Sequence, residues 1–121
     1  MTTDNTRPQP APKHVEGARA VWPLVIEDLQ YRPGPWPVPR ELEEAVAADM
    51  KARDDFGRAK YGTPLQVGNG RDHLADAYQE ALDMAVYLKA WALEGNDPSY
   101  YRRALTCVLE LRALLLERDG R

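Results

Sequence analysis

Three carboxylates stand at helical spacing in the segment DAYQEALDMAVYL, residues 76–88. Asp76, Glu80 and Asp83 are four and then three residues apart, so on a helix their side chains project from one side. No lysine or arginine lies three or four residues from any of them, so no helix neighbour neutralises their charge. Carboxylate oxygens are ligands that Mg²⁺ accepts, and a metal-bound water could act as a nucleophile. A solvated acidic face is the alternative interpretation.

The helix that carries these acids is predicted to begin at an N-cap, Asp72, and to end near Leu93, with Gly95 as its stop. Met84 and Trp91 flank the acids on one side, and Val86 lies beyond them on the other. The acids therefore occupy a narrow notch in a mostly apolar helix. The main apolar face consists of Leu74, Ala77, Tyr78, Ala81, Leu82, Ala85 and Leu88.

An earlier helix is predicted from about Pro39 to Tyr61, with Gly62 as its C-terminal stop. Asp49 and Arg53 lie in the middle of its apolar face, which we expect to point inward. They either form a buried ion pair within the helix or indicate that this face lines a polar pocket. The apolar face consists of Leu42, Ala45, Val46, Ala52 and Phe56.

Charge is segregated along the chain. Residues 51–73 carry five basic against three acidic side chains, whereas residues 74–95 carry one basic side chain against four acidic ones. A basic segment before an acidic notch suits a ligand that brings phosphates and a divalent metal. The overall net charge of −3 does not favour binding to duplex nucleic acid.

A last helix is predicted from an N-cap at Asp97 to about Glu117. Because no segment alternates with period two, we predict an all-α fold. Leucines occur on several sides of this last helix, and its main stripe is broken only by Arg112, which favours a subunit interface and a homodimer or homotetramer. That stripe consists of Leu105, Val108, Leu109 and Leu116.

The N-terminal part of the chain is rich in proline. We predict a flexible tail over residues 1–17, a proline-rich docking arm over residues 18–40 and a helical domain over residues 41–121. Within the arm, the apolar residues 21–30 are expected to dock as a short helix or an extended segment. No apolar run approaches the ~18 residues that span a bilayer. A single cysteine, Cys107, and no signal-peptide pattern favour a cytoplasmic protein without a membrane partner.

The run EALDMAVYLKAWA, residues 80–92, resembles the second metal helix of the MazG-like, all-α nucleoside triphosphate pyrophosphohydrolases. Glu80 and Asp83 match the family's E-x-x-D motif, and the longer block 49–88 is similar to small phage-encoded proteins of this type. The resemblance implies an antiparallel helical bundle of MazG-like type that is a dimer or tetramer. It also implies Mg²⁺-dependent hydrolysis of a (d)NTP to (d)NMP and pyrophosphate, in a bacterial host cell if the gene is phage-encoded.

The resemblance assigns metal-ligand roles to Glu80 and Asp83, and the helical wheel adds Asp49. Asp76 is expected to act beside Glu80 in catalysis, as an outer ligand or a water-orienting base. Trp36 is an additional candidate for stacking on the base. Substrate binding is expected from the basic segment and its tyrosine: Arg53, Arg58, Lys60, Tyr61 and Arg71.

One motif position departs from the family pattern. The first metal motif is E-E-x-x-E, and this chain has Glu43, Glu44 and then Ala47 in place of the last glutamate. The loss of one ligand leaves a second hypothesis open, namely a non-catalytic phage protein that sequesters a nucleotide immune signal. A third hypothesis is a purely structural interaction protein.

Overall fold

The computed structural model describes residues 5–31 and 38–121, and these form four α-helices. The helices are α1 (Trp22–Tyr31), α2 (Arg40–Tyr61), α3 (His73–Leu93) and α4 (Ser99–Asp119). No strand occurs among the described residues, so the prediction of an all-α fold is confirmed. In the same part of the chain, no helix is long and apolar enough to cross a membrane. Trp36 and most of the prolines of the docking arm lie outside the described residues.

The chain divides into two compact units. The hairpin unit contains α3 and α4 together with the described residues 5–9, and the N-terminal unit spans residues 10–71 with α1 and α2. The predicted division at residues 17 and 40 stays a prediction.

The helix ends follow local chain chemistry. Gly62 adopts a left-handed conformation (φ 70°) that suits glycine, and its N–H donates to the Arg58 carbonyl at the end of α2 (2.9 Å). Asp72 is the N-cap of α3, where its carboxylate accepts the Ala75 N–H (3.0 Å). Both ends agree with the predictions. The last helix extends two residues beyond the predicted end.

The core of the hairpin unit is built from small side chains. Ala81 and Ala85 of α3 pack with Ala104 and Val108 of α4, and Leu115 of α4 is fully buried. Alanine at the contact lets two helix backbones approach closely. Larger side chains close the edges of this core: Tyr78, Leu82, Leu88 and Leu111.

Helix α2 packs against α1, and the covered side of α2 differs from the predicted one. The expectation that the Leu42–Phe56 face points inward is wrong, because Leu42 is 52% exposed and Phe56 57% exposed. Asp54 is buried instead, and its carboxylate accepts a hydrogen bond from Arg58 (2.9 Å). Apolar periodicity gives the apolar face of a helix but not which neighbour covers it. The less exposed stripe of α2 consists of Glu43, Val46, Ala47, Met50, Asp54 and Gly57.

The segment before α1 is hydrogen-bonded to the loop that follows α2. Gln66, 3% exposed, donates from Nε2 to the carbonyls of Val15 (2.8 Å) and Ala18 (3.0 Å). Its Oε1 accepts the Val15 N–H (2.9 Å), and the Lys13 N–H donates to the Asn69 carbonyl (2.8 Å). These bonds hold residues 13–18 in a defined conformation within the N-terminal unit, although the sequence predicts a flexible tail over residues 1–17.

Candidate functional site

The three acids of the predicted notch project from one side of α3, as their spacing requires. Glu80 and Asp83 are exposed, while Asp76, one turn nearer the N-terminus, is half-buried. On a helix, residues three or four apart have Cβ atoms about 5–6 Å from each other. Two carboxylates at this spacing can contribute to one small cation that keeps part of its water shell.

Asp76 is tied to the N-terminal residues of the chain. Gln9 donates from Nε2 to Asp76 Oδ1 (2.7 Å) and to the Asp72 carbonyl (2.9 Å), and its Oε1 accepts the Asp72 N–H. Gln79 donates to the Asn5 carbonyl (2.8 Å) in the same region. These contacts orient the Asp76 carboxylate along the first turns of α3. Sequence reasoning missed Gln9 because nothing in its local sequence connects it to residues more than sixty positions away.

Asp72 accepts more than the cap hydrogen bond. Arg118 Nη1 lies 2.9 Å from Asp72 Oδ1, and Nη2 lies 2.7 Å from Oδ2. This two-point hydrogen bond lowers the pKa of Asp72, and further bonds from the backbone N–H groups act in the same direction. Arg118 also bonds to Asp119, whose pKa is lowered by the same guanidinium. The beginning of α3 is therefore fixed to the end of α4.

Aromatic side chains lie beyond the acids toward the C-terminus of α3. Tyr87 is 70% exposed and Trp91 42% exposed. The Trp91 and Tyr100 rings meet edge to face with centroids 6.2 Å apart, and the Arg103 guanidinium lies 4.6 Å from the Tyr100 centroid. Exposed aromatic faces beside a cation are surfaces on which a nucleobase can stack.

The predicted substrate-binding residues of α2 and the following loop belong to the N-terminal unit. Arg58 pairs with the buried Asp54, and Lys60 Nζ lies 5.2 Å from the Tyr61 ring centroid. Arg71 donates from Nη1 to the Pro10 carbonyl (2.9 Å). These basic side chains already make contacts within their own unit.

Asp49 and Arg53, which the helical wheel placed on an inward face, are both exposed on α2. The Arg53 guanidinium lies 5.4 Å from the Phe56 ring centroid. The prediction of a buried ion pair between Asp49 and Arg53 is therefore wrong. The buried carboxylate of α2 is that of Asp54, and it pairs with Arg58. Asp49 belongs to the N-terminal unit and Glu80 and Asp83 to the hairpin unit.

The donor set of α3 suits one hydrated divalent cation rather than a full protein cage. No group of three or more His, Cys, Asp and Glu side chains in the described ranges is arranged to hold a metal. Mg²⁺ needs only one or two carboxylates when waters and substrate phosphates complete its shell. Glu80 and Asp83 fit that mode of binding.

Comparisons with known proteins give no family for this chain: no protein-family model matches it, and neither a curated protein nor a solved structure is detectably similar to it. The MazG-like resemblance of residues 80–92 therefore stays a prediction. Support for a function comes from the side chains of α3 and their surroundings.

Proposed function

We propose that this protein binds a Mg²⁺–nucleoside triphosphate and hydrolyses it to the monophosphate and pyrophosphate. The observation that supports this most is the state of Glu80 and Asp83. Both carboxylates are exposed, and within the described part of the chain neither has a salt bridge or hydrogen bond that would neutralise it. Like charges held together without a counterion favour the binding of a cation.

In this proposal each acid of α3 has a separate role. Glu80 and Asp83 would hold the metal, and the sequence-based assignment of Asp49 as a further ligand stays a prediction. Asp76, oriented by Gln9 Nε2, positions the attacking water and accepts its proton. When bound, Mg²⁺ would neutralise phosphate charge and lower the pKa of a coordinated water.

The substrate would meet two kinds of side chain. The sequence-based assignment of Arg53, Arg58, Lys60 and Arg71 to the phosphates, with Tyr61 as a base-stacking candidate, stays a prediction. The exposed Trp91 and Tyr100 add a second aromatic surface on the unit that carries the acids. We further propose a homodimer or homotetramer in the cytoplasm, with no role for duplex nucleic acid.

The decisive assay is pyrophosphate release from a panel of (d)NTPs with Mg²⁺. We expect release from at least one nucleotide, loss of release with a chelator, and a rate at least about 100-fold lower in Glu80→Gln. Glu94→Gln is a matched control, because Glu94 is an exposed glutamate just past the end of α3. An inactive wild-type protein, or equal rates in wild type and Glu80→Gln, would contradict the proposal.

A second candidate is a protein that binds a nucleotide and releases it intact. It is favoured by the first-motif positions on α2, where Ala47 offers no carboxylate and Glu44 is engaged by Arg40 (2.9 Å). Calorimetry would then show binding without turnover. Chromatography of the ligand recovered after denaturation separates the two candidates, since a cleaved product excludes sequestration.

A further inference from the structure

An exposed pair of aromatic rings lies at the turn between α3 and α4, and we call it the aromatic corner (Trp91 and Tyr100). Both side chains are exposed, and their rings meet edge to face with centroids 6.2 Å apart. Neither ring belongs to the buried core of the hairpin unit. The aromatic corner therefore keeps ring surface available to a flat ligand.

Hydrogen bonds within the turn hold the aromatic corner in place. Asn96 donates from Nδ2 to the Trp91 carbonyl (2.9 Å), and the Ser99 N–H donates to Asp97 Oδ1 (2.9 Å). These bonds order the short connection between the two helices, so a ligand does not have to bring Tyr100 and Trp91 together. A preformed pair of rings binds a flat ligand at a lower entropic cost.

Arg103 adds a planar cation to the aromatic corner. Its guanidinium carbon lies 4.6 Å from the centroid of the Tyr100 ring. In the part of the chain that the structure describes, Arg103 makes no salt bridge and donates no hydrogen bond, so its N–H groups are open to a ligand. Since Trp91 contacts the same Tyr100 ring, Arg103 can reach the edge of a base that stacks on Trp91.

The aromatic corner lies on the same side of α3 as the acids. Glu80, Tyr87 and Trp91 fall within about 40° of each other around the helix, and Trp91 is about 12 Å beyond Asp83 along the helix axis. Tyr87 is exposed between them. One extended nucleoside triphosphate can cover this distance, with its phosphates at the acids and its base at the aromatic corner.

We propose that the aromatic corner binds the base of the nucleotide and that Arg103 selects guanine. This inference rests on the proposed function, which locates the phosphates at the acids of α3. A purine offers more ring surface than a pyrimidine for stacking on Trp91. Of the two purines, guanine presents two adjacent acceptors, O6 and N7, to the paired N–H donors of a guanidinium, whereas adenine replaces one acceptor with an amino donor. The substrate class is therefore a guanine nucleotide.

Tryptophan fluorescence tests base binding without metal and without hydrolysis. Trp22→Phe/Trp36→Phe leaves Trp91 as the single tryptophan, and GMP, AMP, CMP and UMP are titrated into it in the absence of Mg²⁺. We expect GMP to quench Trp91 emission with a Kd about tenfold lower than that of AMP. If circular dichroism shows that this variant is unfolded, calorimetry of wild type and Trp91→Ala measures the same preference. Failure of GMP to bind Trp91, or a preference for another base, would overturn the proposal.

Arg103→Lys separates recognition of guanine from attraction by charge. Lysine keeps the positive charge but lacks the paired N–H donors, so the preference for GMP over AMP should fall by about fivefold or more. Arg102→Lys, at the neighbouring exposed position, is the matched control and should keep the preference of the wild type. An unchanged preference in Arg103→Lys would overturn the selection of guanine by Arg103.

Pyrophosphate release separates failure of this inference from failure of the proposed function. Trp91→Ala should raise the KM for GTP by about tenfold or more with kcat within about twofold, and Trp91→Phe should restore most of the loss because it keeps a stacking ring. Turnover with an unchanged KM in Trp91→Ala would overturn the base site and leave hydrolysis standing. Quenching by GMP without turnover of any triphosphate would support the base site and contradict hydrolysis.

Discussion

Arg118, at the end of α4, donates two hydrogen bonds to Asp72, the N-cap of α3, at 2.9 Å and 2.7 Å. The two residues are 46 positions apart in the sequence. The same carboxylate also accepts the Ala75 N–H (3.0 Å). The Asp72 side chain therefore caps the N-terminus of α3 and also joins it to the C-terminal end of α4.

The first prediction concerns the stability of this hairpin. Arg118→Met should lower the free energy of unfolding only slightly, and less than loss of Asp72, since the pair is partly exposed. Asp72→Ala should cost about 1–2 kcal/mol, because it also removes the helix cap. Urea denaturation of both single variants and the double variant measures the coupling between them. As a control, Arg102→Met at an exposed position of α4 should leave the free energy of unfolding nearly unchanged. If the losses of the Arg118 and Asp72 single variants simply add in the double variant, the two residues are not coupled.

The second prediction concerns pH. Arg118 holds the pKa of Asp72 below its ordinary value of 3.8, so the folded state favours the ionised carboxylate. The resulting stabilisation is complete above pH 3.8 and is lost as the pH falls through the lower pKa of the folded state. Unfolding of wild type and Asp72→Asn should therefore differ at neutral pH and converge in acid. A stability difference that stays constant down to about pH 2 would show that ionisation of Asp72 does not contribute.

The third prediction concerns Gln66 and the segment that it holds. Gln66→Ala removes three hydrogen bonds to Val15 and Ala18 and leaves their backbone groups partly unsatisfied. We expect a loss of about 1–3 kcal/mol in the free energy of unfolding. Hydrogen exchange at the Val15 amide should accelerate by at least about tenfold. Gln79→Ala is the comparison, and it should leave exchange at Val15 unchanged.

The fourth prediction separates a structural from a substrate-binding role for Arg58. Because Asp54 is buried and bonded to Arg58, Arg58→Ala should destabilise the protein by about 1–3 kcal/mol. Lys60→Ala, at an exposed position on the same turn, should change stability by less than about 0.5 kcal/mol. Thermal unfolding without nucleotide measures both. If Arg58→Ala leaves the unfolding temperature unchanged, the ion pair between Asp54 and Arg58 does not stabilise the protein, and the structural role of Arg58 is contradicted.

Local signals in the sequence were sufficient to define the end of α2 and the start of α3. Gly62 ends α2 because a left-handed residue is needed there, and Asp72 begins α3 because its carboxylate caps an N–H group two to three residues on. The spacing of Asp76, Glu80 and Asp83 likewise follows from helix geometry alone. These features depend on residues within one or two turns of each other, so the linear sequence contains all the information that they need.

Tertiary structure decided which faces are covered and which polar groups meet. Leu42 and Phe56 have the periodicity of a core face, yet the side of α2 that carries Asp54 is the covered one. Gln9 reaches Asp76, and Arg118 reaches Asp72, across separations that no local pattern encodes. By itself the sequence determined where α2 ends, where α3 begins and that three acids share one side of α3. The choice of partner for each face required the folded chain, because hydrophobic burial is non-directional and only packing selects among apolar surfaces.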